Sequence, residues 1–181
     1  MDLQQAIRKR RTITCFNTKK VPEIFIERAI EAANHAPSHR LTFPWRFTNV
    51  DFHNRELIAE LSLEMKFSGR KIDEASKEKV SAKILNPSHL LVASQITTKH
   101  PKQKLEDYAA CACAIQNLLL SLAGDGVGSK WSTGKITMEE KTYHIVGINS
   151  LKEDIIGFIW VGYGEIPSQV NRPLITSIYR R

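Results

Sequence analysis

From Tyr108 to Ala123 the chain runs for 16 residues without a charge. Placed on a helix, its apolar side chains fall on nearly every face. A helix of that kind needs neighbours all round it. The spacing therefore predicts a helix over 103–123 at the centre of the core. With Gln116 and Asn117 inside it, the run is too short and too polar to cross a bilayer. Everything else in the chain has to supply the layers that cover this helix.

Those layers are legible in part. Asp2 is placed to cap a short helix carrying Leu3, Ala6 and Ile7 and ending in Arg8-Lys9-Arg10-Arg11. Residues 12–16 are rich in β-formers and read as an extended segment. Pro22-Glu23 opens a second helix, with Ile26, Ala29, Ile30 and Ala33 as its buried stripe. Residues 45–52 read as a strand. Asn54 is the expected cap of a third helix with Leu57, Ile58, Leu61 and Met65 inward. Residues 70–84 are crowded with charge around a thin stripe of Ile72, Val80 and Ile84, as in a surface helix or an ordered excursion, and are expected to be the most mobile part of the chain.

Leu90 to Ile96 is a short apolar run of buried-strand type, followed by a basic loop at Lys99-His100-Pro101-Lys102. Thr137 to Glu140 has the pattern of a capping box. Residues 155–162 form a last continuous apolar strand before a polar tail. Helices arrive in runs of two between strands, which favours an α+β fold over a doubly wound sheet.

At ~150 residues per domain, 181 residues make one domain over 1–181. The odd count of three cysteines and an opening without a signal-type segment point to a cytoplasmic protein with reduced thiols. No membrane association is expected. Residues 1–104 hold 19 basic and 11 acidic side chains, whereas 105–181 hold 7 and 8. An anionic partner therefore docks at the front of the chain. Arg8 to Arg11 fits a solvated helix end, a nucleic-acid patch, or a phosphate clamp helped by the hydroxyls of Thr12 and Thr14.

Gly124-Asp125-Gly126-Val127-Gly128 follows a helix instead of a strand, so it reads as a helix end and tight turn, not a dinucleotide loop. Cys111 and Cys113 point to different helix faces, and His35 and His39 flank Pro37. Neither pair suggests a metal. No Ser/His/Asp set or carboxylate pair is visible, so no catalytic side chain is assigned, and the chemistry belongs to a bound cofactor if this is an enzyme.

Three segments in this order resemble the FMN-dependent nitroreductase family, and within it the short bacterial NAD(P)H nitroreductases. They are Arg10-Arg11-Thr12 after an opening helix, the loop from Ala36-Pro37-Ser38-His39 to Pro44-Trp45-Arg46-Phe47, and the Gln116-Asn117-Leu118 helix leading through Gly126-Val127-Gly128 to Trp131-Ser132-Thr133-Gly134. The closing Ile156-Gly157-Phe158, Gly162-Tyr163-Gly164 and Pro167 also fit.

The resemblance implies an α+β fold with a central, mostly antiparallel sheet flanked by helices, and a homodimer with FMN at the subunit interface. It implies that Arg10, Arg11 and Thr12 hold the phosphate and ribityl side of FMN. The loop with His35, Pro37, Ser38 and His39 would line the isoalloxazine, and Trp131, Ser132, Thr133 and Gly134 would contact the flavin. Ser121, Leu122, Ala123, Gly124, Asp125 and Gly126 match the stretch that meets the nicotinamide nucleotide.

The implied reaction is a ping-pong cycle. NADH or NADPH gives a hydride to flavin N5, and a small electron-poor acceptor such as a nitroaromatic or quinone then takes two electrons. Thr14 stands where many members carry a second Arg or Lys. Leu41, Thr42 and Phe43 replace polar residues before the Pro-Trp pair, making the implied pocket more apolar. Other expectations stay open beside this one: another FMN redox reaction (enone reduction, dehalogenation or dehydrogenation), a flavin carrier without turnover, or a basic nucleic-acid-binding protein. The leading reading includes no nucleic-acid partner.

Overall fold

The computed structural model describes residues 1–69, 71, 73–168 and 170–179. Four strands, β1 (Trp45–Asn49), β2 (His89–Ile96), β3 (Gly128–Ser132) and β4 (Glu153–Gly162), pair in the order β1-β2-β4-β3 with every pair antiparallel. Helices cover both faces. On one lie α2 (Glu23–Asn34) and α5 (Pro101–Gly124), packed on Leu91, Ala93, Ile159 and Val161. On the other, α3 (Phe52–Phe67), α4 (Glu74–Leu85) and α6 (Glu140–Val146) pack on Leu90, Val92, Phe158 and Trp160. Alternate residues of β2 thus enter opposite cores, which is why Leu90 to Ala93 are all apolar instead of alternating.

The fold is the α+β architecture expected, and several local expectations change. Helix α1 (Leu3–Lys9) forms under Asp2, whose carboxylate accepts the Gln5 N–H at 2.8 Å. Residues 12–16 build no strand. They make only a parallel bridge from Thr12 to Ser129 and an antiparallel one from Phe16 to Gly164. Strand β1 stops at Asn49, and Asp51, not Asn54, caps α3: Asp51 accepts both the backbone and the side-chain N–H of Asn54, at 2.9 and 2.8 Å. The segment 70–84 is mostly α4, with Val80 and Ile84 buried against α3. Arg70 and Ile72 lie outside the described residues.

Pro101 and Lys102, read as loop, form the first turn of α5, since proline suits a position whose N–H has no helical partner. The capping box does not form. Thr137 lies in a 3-10 turn (Lys135–Met138) and donates to the Gly134 carbonyl at 2.9 Å, and α6 starts at Glu140. Most informative is α5 itself. Ala110, Cys111, Ala114, Ile115, Leu118 and Leu122 are buried, yet Leu105, Tyr108, Ala109, Cys113 and Gln116 form an open stripe. The described residues cover only part of the helix that the sequence makes apolar all round. Among the described residues, no helix is long and apolar enough to cross a membrane.

Candidate active site

The chain leaves α1 at Arg10, whose N–H still bonds to the Ala6 carbonyl. The Arg11 guanidinium folds back on the helix end and donates to the carbonyls of Arg8 (2.5 Å) and Arg10 (2.9 Å), satisfying acceptors that a helix terminus leaves open. Arg10 has no such duty. Among the described residues its guanidinium makes no hydrogen bond and no ion pair. Its charged neighbours are Arg172 and Arg11, and burial with these two positive charges pushes its pKa below the ordinary value. Guanidinium groups gathered without a carboxylate, two of them partly buried, have the chemistry to hold a multiply charged anion. Arg172 lies in the C-terminal tail and carried no local signal in the sequence.

The floor of this site is set by close backbone packing. Ile13 donates its N–H to Ser129 O at 3.1 Å, beside the Thr12 bridge. A Cβ on Gly128 would sit 2.6 Å from the Ile13 side chain, so only glycine lets that segment lie on β3. The resulting cavity, about 260 Å³, is lined by Arg10, Arg11, Ala123, Gly126, Tyr163 and Gly164 among others. A second cavity of about 460 Å³ holds His35, Asn117, Leu120, Ser121 and Gly124. Leu122 is wholly buried in the core, so its side chain has no open surface for a ligand. Asp125 is engaged by Arg28 at 2.7 Å.

Pro37, Ser38 and His39 line neither cavity. Their loop lies against the N-terminal half of α5, where Thr42 Oγ1 donates to Asp107 Oδ1 at 2.7 Å and His39 Nε2 is 3.8 Å from Glu106 Oε2. Arg40, Leu41 and Phe43 have φ of 55°, 55° and 44°, in the left-handed region. Such backbone costs on the order of 1–3 kcal/mol per residue and persists only where its surroundings enforce it. Near this loop, burial and the Asp107 charge push the Cys111 thiol up to about 12, so it stays protonated.

Trp131 and Ser132 close β3 at its other end, opposite Ile159 and Phe158. The Trp131 indole N–H donates to Ile156 O at 3.3 Å and lies where a Cβ on Gly157 would be. Thr133 and Gly134 follow, exposed. The expected site residues thus fall into four groups: a cationic one at Arg10–Thr12 with Ala123 and Gly126, a cavity with His35, Ser121 and Gly124, a loop at 37–39, and the end of β3.

Known proteins resolve the class. The model of the nitroreductase family matches residues 7–163. The Bacillus subtilis (strain 168) protein YfhC, provisionally named an NAD(P)H nitroreductase, is 30% identical over 174 residues, which is 94% of this chain and 88% of YfhC. A nitroreductase-like family protein from Bacillus cereus superposes with a TM-score of 0.83 at 22% identity, covering 100% of this chain and 96% of the other. A nitroreductase with bound FMN from Bacteroides fragilis NCTC 9343 gives 0.72 at 21% identity, covering 98% and 96%. Both structures share the fold. The chain belongs to the nitroreductase family and is an oxidoreductase of that family.

Proposed function

We propose that this chain is an FMN-dependent NAD(P)H oxidoreductase whose site is completed between two copies of itself. The observation that carries this reading is Arg10, unpaired among the described residues, which lines a glycine-bearing cavity with Arg11 and has Arg172 as a charged neighbour. This donor set fits the phosphate of FMN, with forked guanidinium groups for its oxygens and the Thr12 hydroxyl beside them. FMN held there by Arg10, Arg11 and Thr12 would supply two-electron chemistry between NADH or NADPH and an electron-poor acceptor such as a nitroaromatic or quinone. The chain's own residues bind and orient. Arg10, Arg11 and Arg172 fix the phosphate, Gly126 lets backbone approach the ligand, and Trp131 to Gly134 with the 35–39 loop bound the ring and exclude water.

The need for a second copy follows from size and distance. The cationic cavity, about 260 Å³, is smaller than the roughly 300–1,000 Å³ usual for a site that encloses such a ligand. Within one subunit, Gly126 lies beyond the C-terminus of α5, whereas the 37–42 loop meets α5 at Asp107. That separation is about 27 Å at ~1.5 Å per residue. A partner packed on the open stripe of α5 supplies the missing loop from its own chain. The tail adds exposed Ile166, Leu174, Ile175, Ile178 and Tyr179 that such a partner would cover.

Two measurements test the proposal. The purified protein, reconstituted with FMN, is expected to show a flavin band that bleaches on anaerobic addition of NADPH or NADH. No band after incubation with FMN overturns the reading, and a band that neither nucleotide bleaches leaves a flavin carrier. Sedimentation of the wild type is expected to give a dimer. Cys113→Glu, which puts a charge in the middle of the α5 stripe, should raise the dimer dissociation constant by roughly tenfold or more. A wild type that sediments as a monomer would remove the interface.

A further inference from the structure

Asp107 is 4% exposed, and the oxidoreductase chemistry above makes no use of it. Its one side-chain hydrogen bond among the described residues is accepted from Thr42 Oγ1, at 2.7 Å. Thr42 Oγ1 also lies 3.1 Å from Ser38 Oγ, and Ser38 Oγ accepts the Phe43 N–H at 2.9 Å. The two ends fix the direction of this chain of bonds. The Phe43 amide can only donate, and the Asp107 carboxylate at 2.7 Å is a nearer acceptor for Thr42 than the His39 carbonyl at 3.4 Å, so Thr42 donates to Asp107 and Ser38 donates to Thr42. Each hydroxyl is thereby held in one rotor state. The three bonds span both ends of the segment that carries the left-handed Arg40, Leu41 and Phe43. This is the over-determination that such a backbone requires.

We infer that Asp107 is a positioning residue: through Thr42 and Ser38 its buried carboxylate latches the Arg40–Phe43 turn and so sets where Ser38 and His39 meet the flavin. This rests on the proposed reading, in which the 35–39 loop lines the ring. The latch needs a hydroxyl at position 42 and a carboxylate on the facing turn of α5, and this chain has both. Leu41 and Phe43 are turned outward by it, which leaves an apolar rim for a flat acceptor.

Thr42→Val keeps the side-chain shape and removes the hydroxyl, while Thr42→Ser keeps the hydroxyl. Thr42→Val is expected to weaken FMN binding to the apoprotein by roughly tenfold or more, read by quenching of flavin fluorescence. It should also blur the resolved shoulder of the bound flavin's visible band and speed tryptic cleavage after Arg40, with a melting temperature a few degrees below wild type because the buried Asp107 loses its partner. Thr42→Ser should restore all three. Asp107→Asn, which keeps an accepting oxygen, should stay nearer to wild type than Asp107→Ala. If the wild type takes up FMN and Thr42→Val matches it in affinity, spectrum and cleavage, the latch is wrong and the functional reading stands. Failure of Thr42→Ser to recover the wild-type values also overturns the latch. A wild type that takes up no FMN overturns the reading of the site itself, and the positioning role with it.

Discussion

Arg55→Ala should lower the free energy of unfolding by about 3–5 kcal/mol, the largest effect expected from any single side chain outside the site. Arg55 is 3% exposed, and no carboxylate pairs with it among the described residues. Its guanidinium instead donates to four backbone carbonyls: Ile84 (3.2 and 2.7 Å), Leu85 (2.8 Å), Pro87 (2.5 Å) and Ser88 (3.2 Å). These are the terminal acceptors of α4 and the turn into β2, where the negative end of the helix dipole favours a cation. Burial pushes the Arg55 pKa below its ordinary value. That direction shows that the charge is held at a cost, which the carbonyls offset.

Removing the side chain strands those carbonyls in the core and loosens the contact between α3 and α4. Arg55→Lys should recover only part of the loss, because an ammonium is a point charge without the planar fork. Urea unfolding followed by circular dichroism reads the effect as a lower midpoint at unchanged slope. A loss under about 1 kcal/mol would mean that water replaces the guanidinium at these carbonyls.

Arg55 also shows where sequence reading stops. Its neighbours in the chain mark it as one more polar residue on the first turn of a helix, and its partners lie about 30 residues on. The elements that could be read early are those whose signal is local. Strand β2 carries an unbroken apolar run from Leu90 to Ala93 because both its faces are covered. Helix α2 shows its stripe in Ile26, Ala29 and Ala33. Strand β3, Gly-Ser-Lys-Trp-Ser, has little β character and exists because β4 offers it an edge. Residues 12–16 have the better composition and remain mostly unpaired. Pairing partners, not propensity, decided both cases.

The site divides in the same way. Arg10, Arg11 and Gly126 were legible from charge and turn chemistry and do meet at one cavity. Arg172 was not, since its approach to Arg10 depends on the path of an exposed tail. The stripe of α5 carried a different ambiguity. Hydrophobic periodicity reports that a face needs cover, and it is silent on whether the cover comes from the same chain or from a second copy.

Arg10→Ala is expected to weaken FMN binding by about 1.5–3 kcal/mol, roughly 10–150-fold in Kd. Three groups share the phosphate in the proposed site, and they are not equivalent. Arg11 already holds two carbonyls at the end of α1, so Arg11→Ala should also destabilise that helix. Arg172 lies on the tail, and holding it in place costs conformational entropy, so its removal should cost less. Arg10 is half-buried and makes no other bond among the described residues, which leaves its donor set for the ligand. Part of its contribution is relief, because a bound dianion separates charges that repel one another in the empty site.

Two controls isolate the phosphate. Riboflavin lacks that group, so its affinity, even if weak, should be the same for the wild type and Arg10→Ala. Raising ionic strength should weaken FMN binding to the wild type more than to Arg10→Ala, since a screened cation has less to lose. If FMN affinity is unchanged in Arg10→Ala, or if riboflavin loses as much as FMN, the cationic cavity is not the phosphate site. The clustering of Arg10, Arg11 and Arg172 would then need a different anion to explain it.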